Sequence, residues 1–193
     1  MMSEIHIHRY SDVLENCTQE GREALARALD GIFFQSSNTK SFAGAQARAD
    51  FRERWFGRYL SHDPQWAYVA FTPEGEPAGY LVGSIDDPVC TPRFADIGYF
   101  GHFAALTSRY PAHLHINLAE RCRSGGIGSR LVTRFCTDAA KAGALGVHVV
   151  TSRGARNVRF YERNGFLEAG CQGEGAKEVV FLAKALGSGG PRV

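Results

Sequence analysis

Between Ala112 and Val132 an alternating strand pattern runs through Arg123-Ser-Gly125-Gly126-Ile-Gly128 directly into a helical pattern. A helix that opens on such a turn points unpaired main-chain N–H groups, and the positive end of its dipole, at whatever lies above it. Phosphate is the natural guest. Glycines at 125, 126 and 128 remove the Cβ atoms that would hold a pyrophosphate away from the amides, and they allow backbone angles closed to other residues. On the preceding strand, His113, His115 and Asn117 share one face, whereas Leu114, Ile116 and Leu118 share the other. An imidazole with an unperturbed pKa of about 6.5 is largely neutral at pH 7, so both histidines are candidate proton acceptors, His115 ahead of His113.

A glycine triplet is weak evidence in a chain with 22 glycines, and context has to decide. A P-loop needs Lys and a hydroxyl after its last glycine, but Ser129 and Arg130 follow Gly128. A dinucleotide fingerprint would sit near a first strand with different spacing, and this loop lies two-thirds along the chain. Arg123, Gly126 and Gly128 instead meet every fixed position of [Q/R]-x-x-G-x-[G/A], which resembles motif A of the GCN5-related N-acetyltransferase (GNAT) superfamily. A second segment, Asn157-Val-Arg-Phe-Tyr161-Glu-Arg-Asn-Gly165-Phe166, resembles that family's closing Y-x-x-x-G-F motif.

The resemblance implies a mixed α/β fold with a mostly antiparallel central sheet of about six to seven strands, flanked by helices on both faces. It implies acetyl-CoA as cosubstrate, no metal, and an unidentified amine acceptor. Arg123, Ser124, Gly125, Gly126, Ile127, Gly128 and Ser129 would hold the pyrophosphate, with little demand on the side chain at 127. Main-chain groups from Ile116, Leu118 and Ala119 would meet the pantetheine arm and the thioester oxygen, where a fixed donor stabilises a developing oxyanion by a few kcal/mol. Tyr161 inherits the role of general acid toward the departing thiolate, and its coenzyme contacts. The family often carries Asn seven residues before this tyrosine; Gly154 stands there, and Asn157 is the substitute candidate. Animal arylalkylamine acetyltransferases use a similar His-x-His pair, one residue farther from the glycine loop, and the run 110–116 also resembles acetyltransferase-like domains related to O-GlcNAc hydrolases. The expected acceptor pocket draws on Phe33, Phe34, Ser36, Asp96, Tyr99 and His102. The leading reading is an N-acetyltransferase acting by direct attack; the alternative is an acyl-CoA-binding module with little or no turnover.

The elements that must position these groups follow from periodicity. Glu4 to Tyr10 alternates as an edge strand, and Ser11 or Asp12 can cap a helix that the polar interval 16–21 breaks in two. Residues 45–60 have helical spacing with Phe51, Trp55, Phe56 and Tyr59 as a core stripe. A hairpin at 66–85 turns around Thr72-Pro-Glu-Gly-Glu-Pro77, and 86–109 is an irregular aromatic insert with a short helix before Pro111. After strand 112–119 come a helix at 126–142, a strand at 147–151, a helix at 155–164, and a strand pair at 166–172 and 178–186. This reads as one domain over 1–186, with a frayed tail at 187–193.

The 193 residues carry a net charge of +2 and are 44% apolar, with basic residues scattered, which gives no nucleic-acid stripe. Five cysteines without metal or disulfide spacing suit a reducing cytoplasm. The N-terminus lacks a signal-type apolar core, and no run approaches the roughly 18 apolar residues that span a membrane, so a soluble, unprocessed chain is expected. A homodimer is compatible with these features.

Overall fold

The computed structural model describes residues 5–187. Glu4 and the expected tail beyond Gly187 lie outside the described residues. In chain order the elements are β1 (His6–Arg9), α1 (Tyr10–Glu15), α2 (Gln19–Ser36), α3 (Ala45–Arg52), α4 (Arg58–His62), β2 (Tyr68–Phe71), β3 (Pro77–Ser84), α5 (Tyr99–His102), α6 (Ala104–Thr107), β4 (Ala112–Leu118), α7 (Ile127–Lys141), β5 (Gly146–Ser152), α8 (Asn157–Arg163), β6 (Leu167–Gln172) and β7 (Val179–Ala185). The strands form one seven-stranded sheet in the order β1-β2-β3-β4-β5-β7-β6, flanked by helices. It is mostly antiparallel; β4 and β5 run parallel, with Ala112 opposite Val147 and His113 opposite His148. The described residues divide into two compact units, 5–83 with 115–132, and 84–114 with 133–187.

In the first unit, β1 pairs with β2 and β2 with β3. Tyr10 donates its N–H to the Ala67 carbonyl at 2.9 Å and buries its ring, so α1 begins as the chain leaves β1. Arg9 therefore occupies the N-cap, not Ser11 or Asp12; both lie within the first turn, where Asp12 faces the positive end of the dipole. The expected break holds: Thr18 Oγ1 accepts from Gly21 N at 3.2 Å and starts α2 afresh. Leu25, Leu29, Ile32 and Phe33 then recur at helical spacing on its buried face. Residues 45–62 are helical throughout, but not uniformly, because Glu53–Gly57 form a π turn between α3 and α4. The wider turn re-aims the following residues, and Phe56 and Tyr59 are fully buried. Phe56 stacks on Phe33 at 5.4 Å and meets Tyr80 of β3 at 4.6 Å.

Gly79 marks a close approach of β3 to β4. A Cβ there would collide with the Leu118 side chain and lie 2.7 Å from the Asn117 carbonyl oxygen. Glycine is required at this point by space alone.

In the second unit, β5 pairs with β7 and β7 with β6. Phe103, Phe181 and Ala183 form a core against Leu106, Tyr110, Val150 and Val179. The insert contributes α5, α6 and a 3-10 turn at Pro92–Phe94, and its Phe94, Phe100 and Phe103 are buried. Its aromatics pack the insert down. His113 and His148 are buried among these rings, with Phe94 4.7 Å from His113 and Phe181 stacked at 4.5 Å on His148. Among the described residues no helix is long and apolar enough to cross a membrane.

Candidate active site

The glycine loop is built within the first unit. A 3-10 turn at Glu120–Cys122 follows β4, and the chain then passes through Ser124 at φ 67° and Gly126 at φ 78° before α7 begins. Two left-handed residues so close together curl the main chain into a concave turn of the kind that presents N–H groups to an anion. Ser124 holds that conformation despite its Cβ, at a cost of about 1 kcal/mol. Among the described residues, Cβ atoms built on Gly125 and Gly126 would meet nothing within 4 Å. Internal packing therefore does not explain glycine at 125. Arg123, Ser124, Gly125 and Gly126 are exposed, and Gly128 and Ser129 open the helix. Ile127 is 5% exposed, so its side chain anchors the start of α7 in the core and its identity matters for stability. Arg123 Nε donates to the Leu118 carbonyl at 3.3 Å and Nη2 to Ser36 Oγ at 3.4 Å, holding the guanidinium beside the end of α2.

The polar face of β4 is occupied more fully than its alternation suggests. His115 Nε2 and Tyr59 Oη are hydrogen-bonded at 3.2 Å, and the imidazole lies edge-on to Trp55 at 5.5 Å. Burial, reinforced by the positive charge of Arg58, lowers its pKa to about 4, well below the ordinary value expected from sequence. Asn117 Nδ2 donates to Tyr80 Oη at 2.8 Å, and burial pushes that phenol's pKa up. His113 belongs to the second unit, 2% exposed, with Nδ1 3.4 Å from the Pro111 carbonyl. Ile116 and Leu118 are half-buried. The expected main-chain donor at Ala119 is already used: its N–H donates to the Ala78 carbonyl at 2.9 Å because β3 and β4 lie so close here. Tyr59, Tyr80 and Arg58 were the residues missed from sequence. Tyr59 carries a visible signal, the helical aromatic stripe, but that stripe reads as core.

Asn157 and Tyr161 lie in the second unit, on α8. Tyr161 is 5% exposed, with ring contacts to Phe160 at 5.2 Å and Phe166 at 5.4 Å. Burial raises its pKa, so the hydroxyl stays protonated, and among the described residues none hydrogen-bonds to it. Gly165 at φ 83° closes the helix, with Phe166 N donating to the Tyr161 carbonyl at 3.1 Å. Asn157 Oδ1 accepts from Thr151 Oγ1 at 3.0 Å, and Gly154 sits in a left-handed turn at φ 77°. Of the expected acceptor-pocket residues, Phe33 is core, whereas the Phe34 ring carries the Arg48 guanidinium at 3.5 Å. Ser36 meets Arg123; Asp96 and His102 are exposed in the second unit, where Tyr99 is half-buried.

Comparison with known proteins places the chain by sequence and by fold. The family described as acetyltransferase (GNAT) family matches residues 31–166. Among solved structures, SsHAT superposes with a TM-score of 0.70 at 20% identity, covering 95% of this chain and 99% of its own. PH1933 from Pyrococcus horikoshii OT3 gives 0.64 at 16% identity, covering 94% of this chain and 98% of its own. An N-acetyltransferase from Staphylococcus aureus Mu50 gives 0.60 at 16% identity, covering 96% of this chain and 100% of its own.

Proposed function

The chain belongs to the acetyltransferase (GNAT) family, and from that premise we propose that it transfers an acetyl group from acetyl-CoA to a primary amine of a small molecule or peptide by direct attack. The carrying observation is the open glycine turn, whose main chain is exposed and whose Gly125 and Gly126 leave room where Cβ atoms would stand. When bound, acetyl-CoA supplies an activated acyl thioester. Main-chain N–H groups of residues 124–129 hold its pyrophosphate, with Arg123 adding charge. Main-chain groups of Ile116 and Leu118 polarise the thioester carbonyl and hold the pantetheine arm; the parallel register engages β4 at Ala112 and His113, and the rest of the strand extends past it. As the C–N bond forms and the C–S bond breaks, Tyr161 Oη–H would deliver its proton to the departing sulfur; burial keeps this hydroxyl protonated, and among the described residues no hydrogen bond holds it elsewhere. His115, neutral above its pKa of about 4, takes the surplus proton from nitrogen and shares it with Tyr59. All five cysteines are free thiols, which supports a reducing, cytoplasmic setting.

A second reading, an acyl-CoA-binding module without turnover, is favoured by the same lowered pKa, since so weak a base draws little proton from an amine. Calorimetric titration with acetyl-CoA, followed by thiol-release assays over a panel of amines, separates the two. Gly126→Asp abolishes binding through clash and charge, whereas Tyr161→Phe keeps the affinity and slows transfer roughly tenfold or more. Equal losses of affinity in both variants would overturn the role assignment; binding without release would leave the module.

A further inference from the structure

The segment between α2 and α3, together with the adjoining ends of both helices, lines an open cavity of about 390 Å³ that the reaction described above does not use. Phe34 and Phe42 form its floor, edge to face at 6.0 Å, and Phe42 is tied inward through Phe51 at 5.3 Å, which meets Phe33 of the core at 5.5 Å. The floor is therefore a fixed aromatic surface. Its rim carries Lys40 and Arg48, with Thr39 as a hydroxyl, and no carboxylate lines it. Lys40 Nζ donates to the Gln35 carbonyl at 2.9 Å, which leaves two of its three N–H groups to point elsewhere. Arg48 lies flat on the Phe34 ring at 3.5 Å, and its in-plane donors meet no carboxylate among the described residues. Two cations converge here over a hydrophobic floor, and among the described residues no carboxylate neutralises them. The volume is at the small end for ligand pockets and suits a molecule of amino-acid size. The cavity also adjoins the glycine turn within one unit, because Ser36, two residues after Phe34, receives the Arg123 guanidinium.

We propose that this cavity binds the carboxylate and apolar side chain of the acceptor, so that the amines acetylated are amino acids or similar amino carboxylates. This rests on the transferase reading given above. A planar guanidinium already stacked on Phe34 offers its edge to both carboxylate oxygens at little ordering cost, and Lys40 supplies the second charge. The apolar part of the ligand covers the two phenyl rings. An anion attached to a flat body also describes the nucleotide end of the coenzyme, whose 3′-phosphate is the other source of such chemistry.

The test is calorimetric titration of the full chain with N-acetylphenylalanine and with its neutral amide, which differ in the carboxylate alone. The acid is expected to bind about tenfold more tightly than the amide. Arg48→Gln and Lys40→Gln, both at exposed positions, should each erase most of that difference while leaving acetyl-CoA affinity unchanged. Equal binding of acid and amide, or no binding of either, overturns the proposal. So does a loss of acetyl-CoA affinity in Arg48→Gln that disappears with dephospho-acetyl-CoA, which would assign the cavity to the 3′-phosphate. Acid-selective binding in a chain that binds no acetyl-CoA would keep the cavity's carboxylate site and sink the transferase reading instead.

Discussion

At the scale of single residues, His115 shows how position rather than type sets chemistry. A histidine on an exposed strand face titrates near neutrality, whereas this one, packed against Trp55 and Tyr59 with Arg58 close by, has a pKa lowered to about 4. In the unfolded chain the same ring returns to about 6.5. Between those values the unfolded state holds a proton at 115 that the folded state refuses, so stability falls as pH drops from about 6.5 to about 4 and the loss is complete below the lower value. The contribution is on the order of 3 kcal/mol. Urea unfolding at closely spaced pH values should show this fall in the wild type and a shallower one in His115→Gln, which removes the titrating ring. Parallel pH profiles would show that the ring titrates normally in the folded protein.

At the scale of elements, the glycine at 79 governs how β3 and β4 share the site. Its missing Cβ lets the two strands close far enough for Ala119 N–H to reach the Ala78 carbonyl and for Asn117 to reach the Tyr80 hydroxyl. Gly79→Ala must displace main chain as well as the Leu118 side chain, which places it among overpacking substitutions costing about 1–3 kcal/mol. A lower urea midpoint with an unchanged slope is expected, and a neutral effect would mean that β4 shifts freely. The strand, turn and helix from 112 to 141 were legible because a period of two gives way to 3.6 across glycines. So was the end of α8, where Gly165 takes a left-handed turn after Tyr161. The π turn at Glu53–Gly57 was not, since helix-forming residues fill it and no type of residue announces the extra position. Nor was the partner of His115, which stands 56 positions away on the element that this turn re-aims. Local pattern fixes where a side chain starts, whereas long-range packing fixes its proton affinity.

At the scale of the whole molecule, the proposed binding of a coenzyme at the exposed turn implies an effect on the folding equilibrium, because the unfolded chain has no such turn to offer. Ligand at one hundred times its dissociation constant stabilises a native-only binder by about 2.7 kcal/mol. For a chain of this length each kcal/mol moves the unfolding midpoint by about 2–4 °C, so saturating acetyl-CoA should raise it by about 5–10 °C. The size of the shift depends on occupancy rather than on turnover, which makes it independent of the acceptor and of proton transfer. Tyr161→Phe should therefore keep the shift in full, and Gly126→Asp should remove it whatever its own midpoint in the absence of ligand. An equal shift in Gly126→Asp would locate the coenzyme away from residues 124–129, and the open space above Gly125 would then need another occupant.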